Sequence, residues 1–295
     1  MTHVLSMAII NYLCVLSVYV LLGLCGQNSF AQAGLWGVGA YMAGNVLIHT
    51  AMGSVAAFVI AIVGTALLAF GLGFAFFRLR MYYFTFASIG LMTILNGVFM
   101  NWEPVTGGAT GLKNIPTFNL FGLVADSEVS KFYIIMTIGI AATILVEVLF
   151  SSPLGRSFMA IRDNEMCANS MGINSLLTKS IAFGISGALC GAAGALYASL
   201  SGYLSYQSFT YAQSTIYLVM IMIGGTVSPV GAIAGTIIIT VLSECFRSLQ
   251  NYMQLIYGLG VIILMIVQPE GLLGGWKSLH EWIDKKRISK DAARS

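Results

Sequence analysis

The first 77 residues contain no lysine, arginine, aspartate or glutamate. A soluble domain carries charge on roughly a quarter of its residues. This chain carries it on 8% of 295 residues, and 58% are hydrophobic. A surface so poor in charge does not stay dissolved, so the composition excludes a soluble globular class. The expected fold class is an all-α polytopic membrane protein embedded in the lipid bilayer.

About 20 helical residues cross the ~30 Å hydrocarbon core. Uncharged runs fall at 1–77, 81–102, 132–146, 180–243 and 248–269, and glycine, proline and amide clusters divide the longer ones. Nine hydrophobic segments result, at roughly 4–25, 33–50, 54–77, 82–100, 131–150, 177–200, 211–227, 230–247 and 253–269. The expectation is about 8–10 transmembrane or re-entrant helices in a single transmembrane domain, 1–295. The opening stretch lacks a basic n-region and a clear cleavage site, so it reads as a retained helix.

Lysine and arginine set the orientation. They gather at Arg78 and Arg80, at Arg156 and Arg162, and in the tail at Lys277, Lys285, Lys286, Arg287 and Lys290. Nine crossings place all three groups on the cytoplasmic side and the mixed-charge loop 101–130 outside. In that outer loop TGGATGLKNIP (106–116) lacks the GxxxxGK[ST] order of a phosphate loop and reads as an exposed turn. The tail WKSLHEWIDKKRISKDAARS pairs Trp276 and Trp282 with basic residues, as an interfacial anchor does.

Five scattered cysteines show no CxxC spacing and no nearby histidine, so neither a disulfide framework nor a metal site is expected. No basic stripe interleaved with aromatics suggests nucleic acid. Carboxylates are nearly absent from the spans: Glu147 lies near a helix end, and Glu244 stands near Arg247, close enough to pair. A proton-coupled carrier needs an intramembrane relay, and this chain offers none. No His/Asp/Glu constellation supports a membrane enzyme. Gly187/Gly191 and Gly231/Gly235 have GxxxG spacing, which suits close helix packing more readily than a dedicated dimer face.

Two polar stretches interrupt this pattern. In GQNSFAQAGLWGVGAY (26–41), Gln27, Asn28, Ser29 and Gln32 lie within six residues. Amides in hydrocarbon need partners, so these residues face protein, water or solute. Either a plain interfacial loop or a helix broken within the membrane, as in many transporters, fits the spacing. The second is SPLGRSFMAIRDNEMCANSMGIN (152–174), too polar to span. Pro153 and Gly155 are expected to end the preceding helix, and a short amphipathic helix follows. Phe158 and Ile161 share one face, and Arg156, Arg162, Asp163 and Glu165 face water. Gly172 supplies a stop. On physics alone this is either an ordinary charged loop or a docking helix.

The second stretch resembles the cytoplasmic coupling loop of bacterial ABC importer permeases, and more narrowly the Liv M-type inner-membrane subunits of the branched-chain amino acid permease family. Ser152, Gly155, Arg156, Ala160, Ile161, Arg162, Asp163, Asn164, Glu165, Gly172, Ile173 and Asn174 match that family's pattern. GQNSFAQAGLWGVGAYMAG resembles its Gly-Gln-x-Ser stretch, with Gln32 where histidine is common. GALCGAAGALYA, IGGTVSPVGAIAG and VQPEGLLG fit later motifs. The resemblance implies a permease domain with a coupling loop at 152–174 and a cytoplasmic tail at 276–295, in a bacterial inner membrane. It implies no enzymatic activity and no cofactor of its own, ATP being used by partner subunits. The implied partners are a second permease, two cytoplasmic ATPases and a periplasmic or extracellular binding protein. Gly155, Arg156, Ala160, Arg162, Asp163 and Glu165 are then expected to couple to the ATPase, and Gln27, Asn28, Ser29 and Gln32 to line the translocation path. The implied substrates are branched-chain or other hydrophobic amino acids. A permease for urea or another small polar solute, and a stand-alone carrier or channel, are the alternatives.

Overall fold

A long apolar run in lipid has one local way to satisfy its backbone, the α-helix. Helices account for nearly all regular structure in the computed structural model, which describes residues 2–50, 53–79, 81–117, 119–120, 123–124, 128–226, 228–245 and 258. The chain forms two compact units, Met1–Leu218 and Val219–Ser295. Helix α1 (Thr2–Val18) widens into a π-helical stretch, Tyr19–Leu24, and stops. Three helices follow: α2 (Gln32–His49), α3 (Ser54–Phe76) and α4 (Met81–Asn101). The loop after α4 holds the single turn α5 (Glu103–Thr106) and strands β1 (Asn119–Leu120) and β2 (Leu123–Val124), antiparallel with Asn119 opposite Val124. Next come α6 (Glu128–Ser151), the short α7 (Pro153–Asp163) and α8 (Glu165–Ser170), and the long α9 (Ser175–Ser201). The last two are α10 (Tyr211–Gly224), which runs across the unit boundary, and α11 (Pro229–Cys245).

Eight of the nine expected segments coincide with these helices. The ninth, 253–269, the tail and the Glu244–Arg247 pairing lie outside the described residues. Among the described residues, five helices are long and apolar enough to cross a membrane alone: Thr2–Leu24, Ser54–Phe76, Tyr83–Asn101, Glu128–Ser151 and Ser175–Ser201. The 14 residues of α10 reach only about 21 Å at 1.5 Å per residue. Helix α10 is therefore shorter than the ~30 Å core, a re-entrant length rather than the full crossing that nine spans assume.

Helices α3 and α6 of the first unit turn small residues inward and large apolar ones outward, the reverse of a soluble protein. On α3 the buried stripe is Ser54, Ala57, Ala61, Thr65, Ala69 and Gly73, while Val59, Ile60, Val63 and Leu67 point outward. On α6, Gly139 and Ala142 are inside and Ile144, Leu145 and Val148 outside. Lipid tails are as apolar as leucine, so hydrophobicity does not choose the interior face. Close approach of backbones does, and small residues permit it. The pillar is α2, where every residue from Ala31 to Tyr41 is buried. It lies against α9 so closely that a Cβ on Gly39 would stand 2.6 Å from the Gly191 Cα. A Cβ on Gly194 would strike the Ala40 nitrogen and the Trp36 carbonyl. Gly187 and Gly191 also meet the Thr65 and Ala61 carbonyls of α3, so this GxxxG row packs helices within one chain.

The first unit has two distinct ends. At one, Gly73 meets Ser180 and Phe183, and Phe77 stacks on Phe84 with ring centroids 4.4 Å apart. The end of α3, with Arg78, thus adjoins the start of α9 and the short helices α7 and α8. The basic loops at 78 and 156–162 share this end, as the charge bias requires. At the other end Asn45 Nδ2 donates to the Val105 carbonyl at 2.7 Å, and Leu112 and Leu204 exchange backbone hydrogen bonds at 2.9 Å. The 106–116 stretch is the exposed turn expected only in part, at Ala109, Thr110, Lys113, Asn114 and Pro116. Thr106, Gly108, Gly111 and Ile115 are buried, because Leu112 and Ile115 close over Gly44 of α2.

In the second unit, taken by itself, α11 turns back against the end of α10. A Cβ on Gly231 would meet the Gly225 carbonyl, and one on Gly235 the Met220 carbonyl. This GxxxG row also serves internal packing.

Gly191→Leu drives a side chain into backbone that cannot move aside, and overpacking of this kind costs about 1–3 kcal/mol or more. Gly71 has nothing within 4 Å of a Cβ. Thermal unfolding of purified variants should show a clear loss for Gly191→Leu and little change for Gly71→Leu. Equal losses would contradict the packing described.

Candidate functional site

The gap between α1 and α2 places irregular backbone inside the bundle. Gly26 turns it with φ +67°. Backbone groups at such a point need partners from outside the segment. Ser88 Oγ accepts from Phe30 N–H at 3.0 Å, and Ser214 Oγ accepts from Ala33 N–H at 3.0 Å. Thr85 Oγ1 donates to the Asn28 carbonyl at 3.3 Å, and Ser29 Oγ accepts from Ala31 N–H at 3.3 Å. The interruption is thus a built feature, its backbone held by hydroxyls from α4 and α10. Of the four expected path residues, Gln27, Ser29 and Gln32 are buried and Asn28 is exposed.

The charged loop forms a platform against the same end of the unit. Ser152 Oγ accepts from Gly155 N–H at 3.1 Å and caps α7, with Pro153 at its first position. Pro153 and Gly155 therefore open a helix rather than ending one, because proline needs no partner for its nitrogen there. The single amphipathic helix expected is two. Asn164 is extended (φ −160°, ψ 105°), ends α7, and caps α8 by accepting from Cys167 N–H at 3.0 Å. Gly172, at φ +86°, closes α8 with paired backbone bonds, Ile173 N–H to the Ala168 carbonyl and Gly172 N–H to Asn169. Asn174 then caps α9.

Three anchors tie the platform to the spans. Phe158 and Ile161 are buried beneath α7 as their spacing predicts. Arg162 Nη1 donates to the Gly23 carbonyl at 2.6 Å, and its Cγ lies where a Cβ on Gly26 would come within 2.8 Å. Lys179 of α9, its side chain only 7% exposed, donates to Glu165 Oε1 at 2.6 Å.

A family model described as the branched-chain amino acid transport system permease component matches residues 1–267. The chain belongs to this permease family. It is 28% identical over 91% of its length to the high-affinity branched-chain amino acid transport system permease protein LivM of Salmonella typhimurium, covering 68% of that relative. It is 29% identical over 88% of its length to the Escherichia coli K12 protein of the same name, covering 66%. The chain therefore spans about two thirds of the length of these relatives. A more distant relative is the autoinducer 2 import system permease protein LsrC of Salmonella typhi, 24% identical over 52% of the chain and covering 44% of that protein. No solved structure matches. The family is one of transport permeases, and this member is a multi-pass protein of the inner membrane.

Within this permease the six expected coupling residues divide. Arg156 and Asp163 are exposed on α7, though Arg156 also donates to the Ser151 carbonyl. Arg162 and Glu165 keep 40% and 42% of their side chains exposed, as expected. Each also makes one bond back toward the bundle, to the Gly23 carbonyl and to Lys179, and Arg162 Nε donates to Asp163 Oδ1 at 3.3 Å. Gly155 is buried where a Cβ would strike the Leu149 carbonyl, so it allows the α6–α7 corner, and Ala160 is half-buried. Sequence reasoning missed Lys179, Ser88 and Ser214. The available signal was a lysine just inside a span, followed by 64 uncharged residues, and lone hydroxyls in otherwise apolar helices.

Losing one member of a charged pair costs more than replacing both, because the survivor is left without its partner. Glu165→Ala should lower the melting temperature more than the double substitution Glu165→Ala/Lys179→Met does. The reverse order would show that the pair does not anchor the platform.

Proposed function

We propose that this chain is the membrane permease subunit of a binding-protein-dependent importer for branched-chain amino acids, driven by ATP hydrolysis on separate cytoplasmic subunits. Membership in a family described as one component of a transport system supports a shared assembly. The LivM relatives supply the substrate class. The observation that carries the reading is the platform, which presents Arg156 and Asp163 outward while Arg162 and Glu165 hold the ends of α1 and α9.

In this reading the exposed face of α7 lies in a groove of an ATPase subunit, and a second permease completes the pore. Closure of the ATPase pair on ATP displaces α7. Arg162 passes that movement to the end of α1, directly ahead of the broken segment, and Glu165 passes it to α9. A ligand shifts an equilibrium only by contacting the two states differently, so ATP acts through this contact. The solute path runs past Gln27, Asn28, Ser29 and Gln32, whose neutral groups suit a zwitterion. The permease itself uses no cofactor.

Vesicles carrying the complete complex should accumulate leucine only with ATP and binding protein. Arg156→Glu should insert normally, yet co-purify with less ATPase and transport about tenfold or more slowly, as expected for loss of a charge-assisted contact. Uptake by the chain alone, driven by a gradient, would instead establish a stand-alone carrier. Leucine-independent uptake of urea would establish the other substrate class.

A further inference from the structure

Gln32 opens α2 and is fully buried, yet neither its amide oxygen nor its amide nitrogen has a hydrogen-bond partner among the described residues. One turn along, on the same face, Trp36 is 4% exposed and its indole Nε1–H is likewise unpaired. Most buried polar groups are paired, and each exception calls for an explanation. The cap residue Ala31 contributes no side-chain bond at the start of α2, where Ser214 Oγ takes the Ala33 N–H, and the aligned peptide dipoles give that end partial positive charge. Around Trp36 stand the rings of Tyr197 and Phe209, each with its centroid 4.7 Å away, and Tyr217 at 6.3 Å.

These features answer to one ligand chemistry. The partial positive charge of a helix start favours a carboxylate. An amide that both donates and accepts serves a carboxylate and an ammonium together. The aromatic wall takes an apolar side chain. No charged residue precedes Arg78 in sequence, and Arg162, which reaches the Gly23 carbonyl, is paired with Asp163. We propose that Gln32 and Trp36 form a binding point inside the bundle for a zwitterionic amino acid with an apolar side chain, its carboxylate toward the start of α2. The inference rests on the importer reading for how solute arrives, and adds where the permease itself holds it.

The test is equilibrium binding of radiolabelled L-leucine to the full-length chain in lipid nanodiscs, without ATPase or binding protein. The competitor is 3-methylbutylamine, which is leucine without its carboxylate. Saturable leucine binding is expected, with the amine competing about tenfold or more weakly. Gln32→Leu should weaken leucine by about tenfold, and Trp36→Phe by a few-fold. Gln32→Glu should reverse the preference toward the amine, which covers the case of a misfolded leucine variant. Absence of saturable binding by the unsubstituted chain, or unchanged affinity and preference in the variants, would overturn the proposal. ATP-driven uptake by the complete complex, measured in parallel, separates the two readings. If uptake is intact but independent of Gln32, only this site fails. If Gln32-dependent binding occurs without ATP-driven uptake, only the importer fails.

Discussion

Every backbone N–H and C=O within a bilayer must find a partner inside the protein, and the residues between α1 and α2 are where this chain meets that demand without a helix. Ser88, Thr85 and Ser214 supply the missing partners. They can do so because α4 and α10 lie close to the broken segment. That closeness belongs to a unit whose interior faces are lined with glycine, alanine and serine. Remove the small residues and the helices part, and the exposed backbone at 25–32 becomes too costly to keep.

The break and the platform meet at one short stretch. The Gly23 carbonyl receives Arg162, and Gly26 leaves room for the stem of the same side chain. The segment that carries the polar residues therefore begins where the charged loop takes hold. Lys179 gives the loop a second grip, on the helix that also packs against α2. In the proposed mechanism a displacement of the platform reaches the interior by both routes, without a charge relay in the membrane.

Much of this was legible from residue order alone. Apolar run length located eight helices, because lipid makes length and hydropathy nearly sufficient. The pairing of Phe158 with Ile161 identified the buried face of α7, because a three-residue spacing is one helical turn. What failed depended on contacts distant in sequence. The inward bonds of Arg162 and Glu165 escaped because nothing nearby suggested that Gly23 and Lys179 would stand beside them. The split at Asn164 escaped because an asparagine within a charged stretch reads equally as a surface residue or a cap. Thr106, Gly108, Gly111 and Ile115 looked exposed because the glycines suggest a turn, whereas their burial followed from Leu112 and Ile115 finding Gly44.

The central claim is that nucleotide on a partner rearranges the buried break through the platform. Its most direct measurement uses a single cysteine at Ser29, a buried position, with the five native cysteines replaced. Maleimide labelling of the assembled complex is compared with and without a non-hydrolysable ATP analogue. The account predicts labelling rates that differ between the two states, and it predicts that Arg162→Ala abolishes the difference. Equal rates in both states, in a complex that transports, would contradict it.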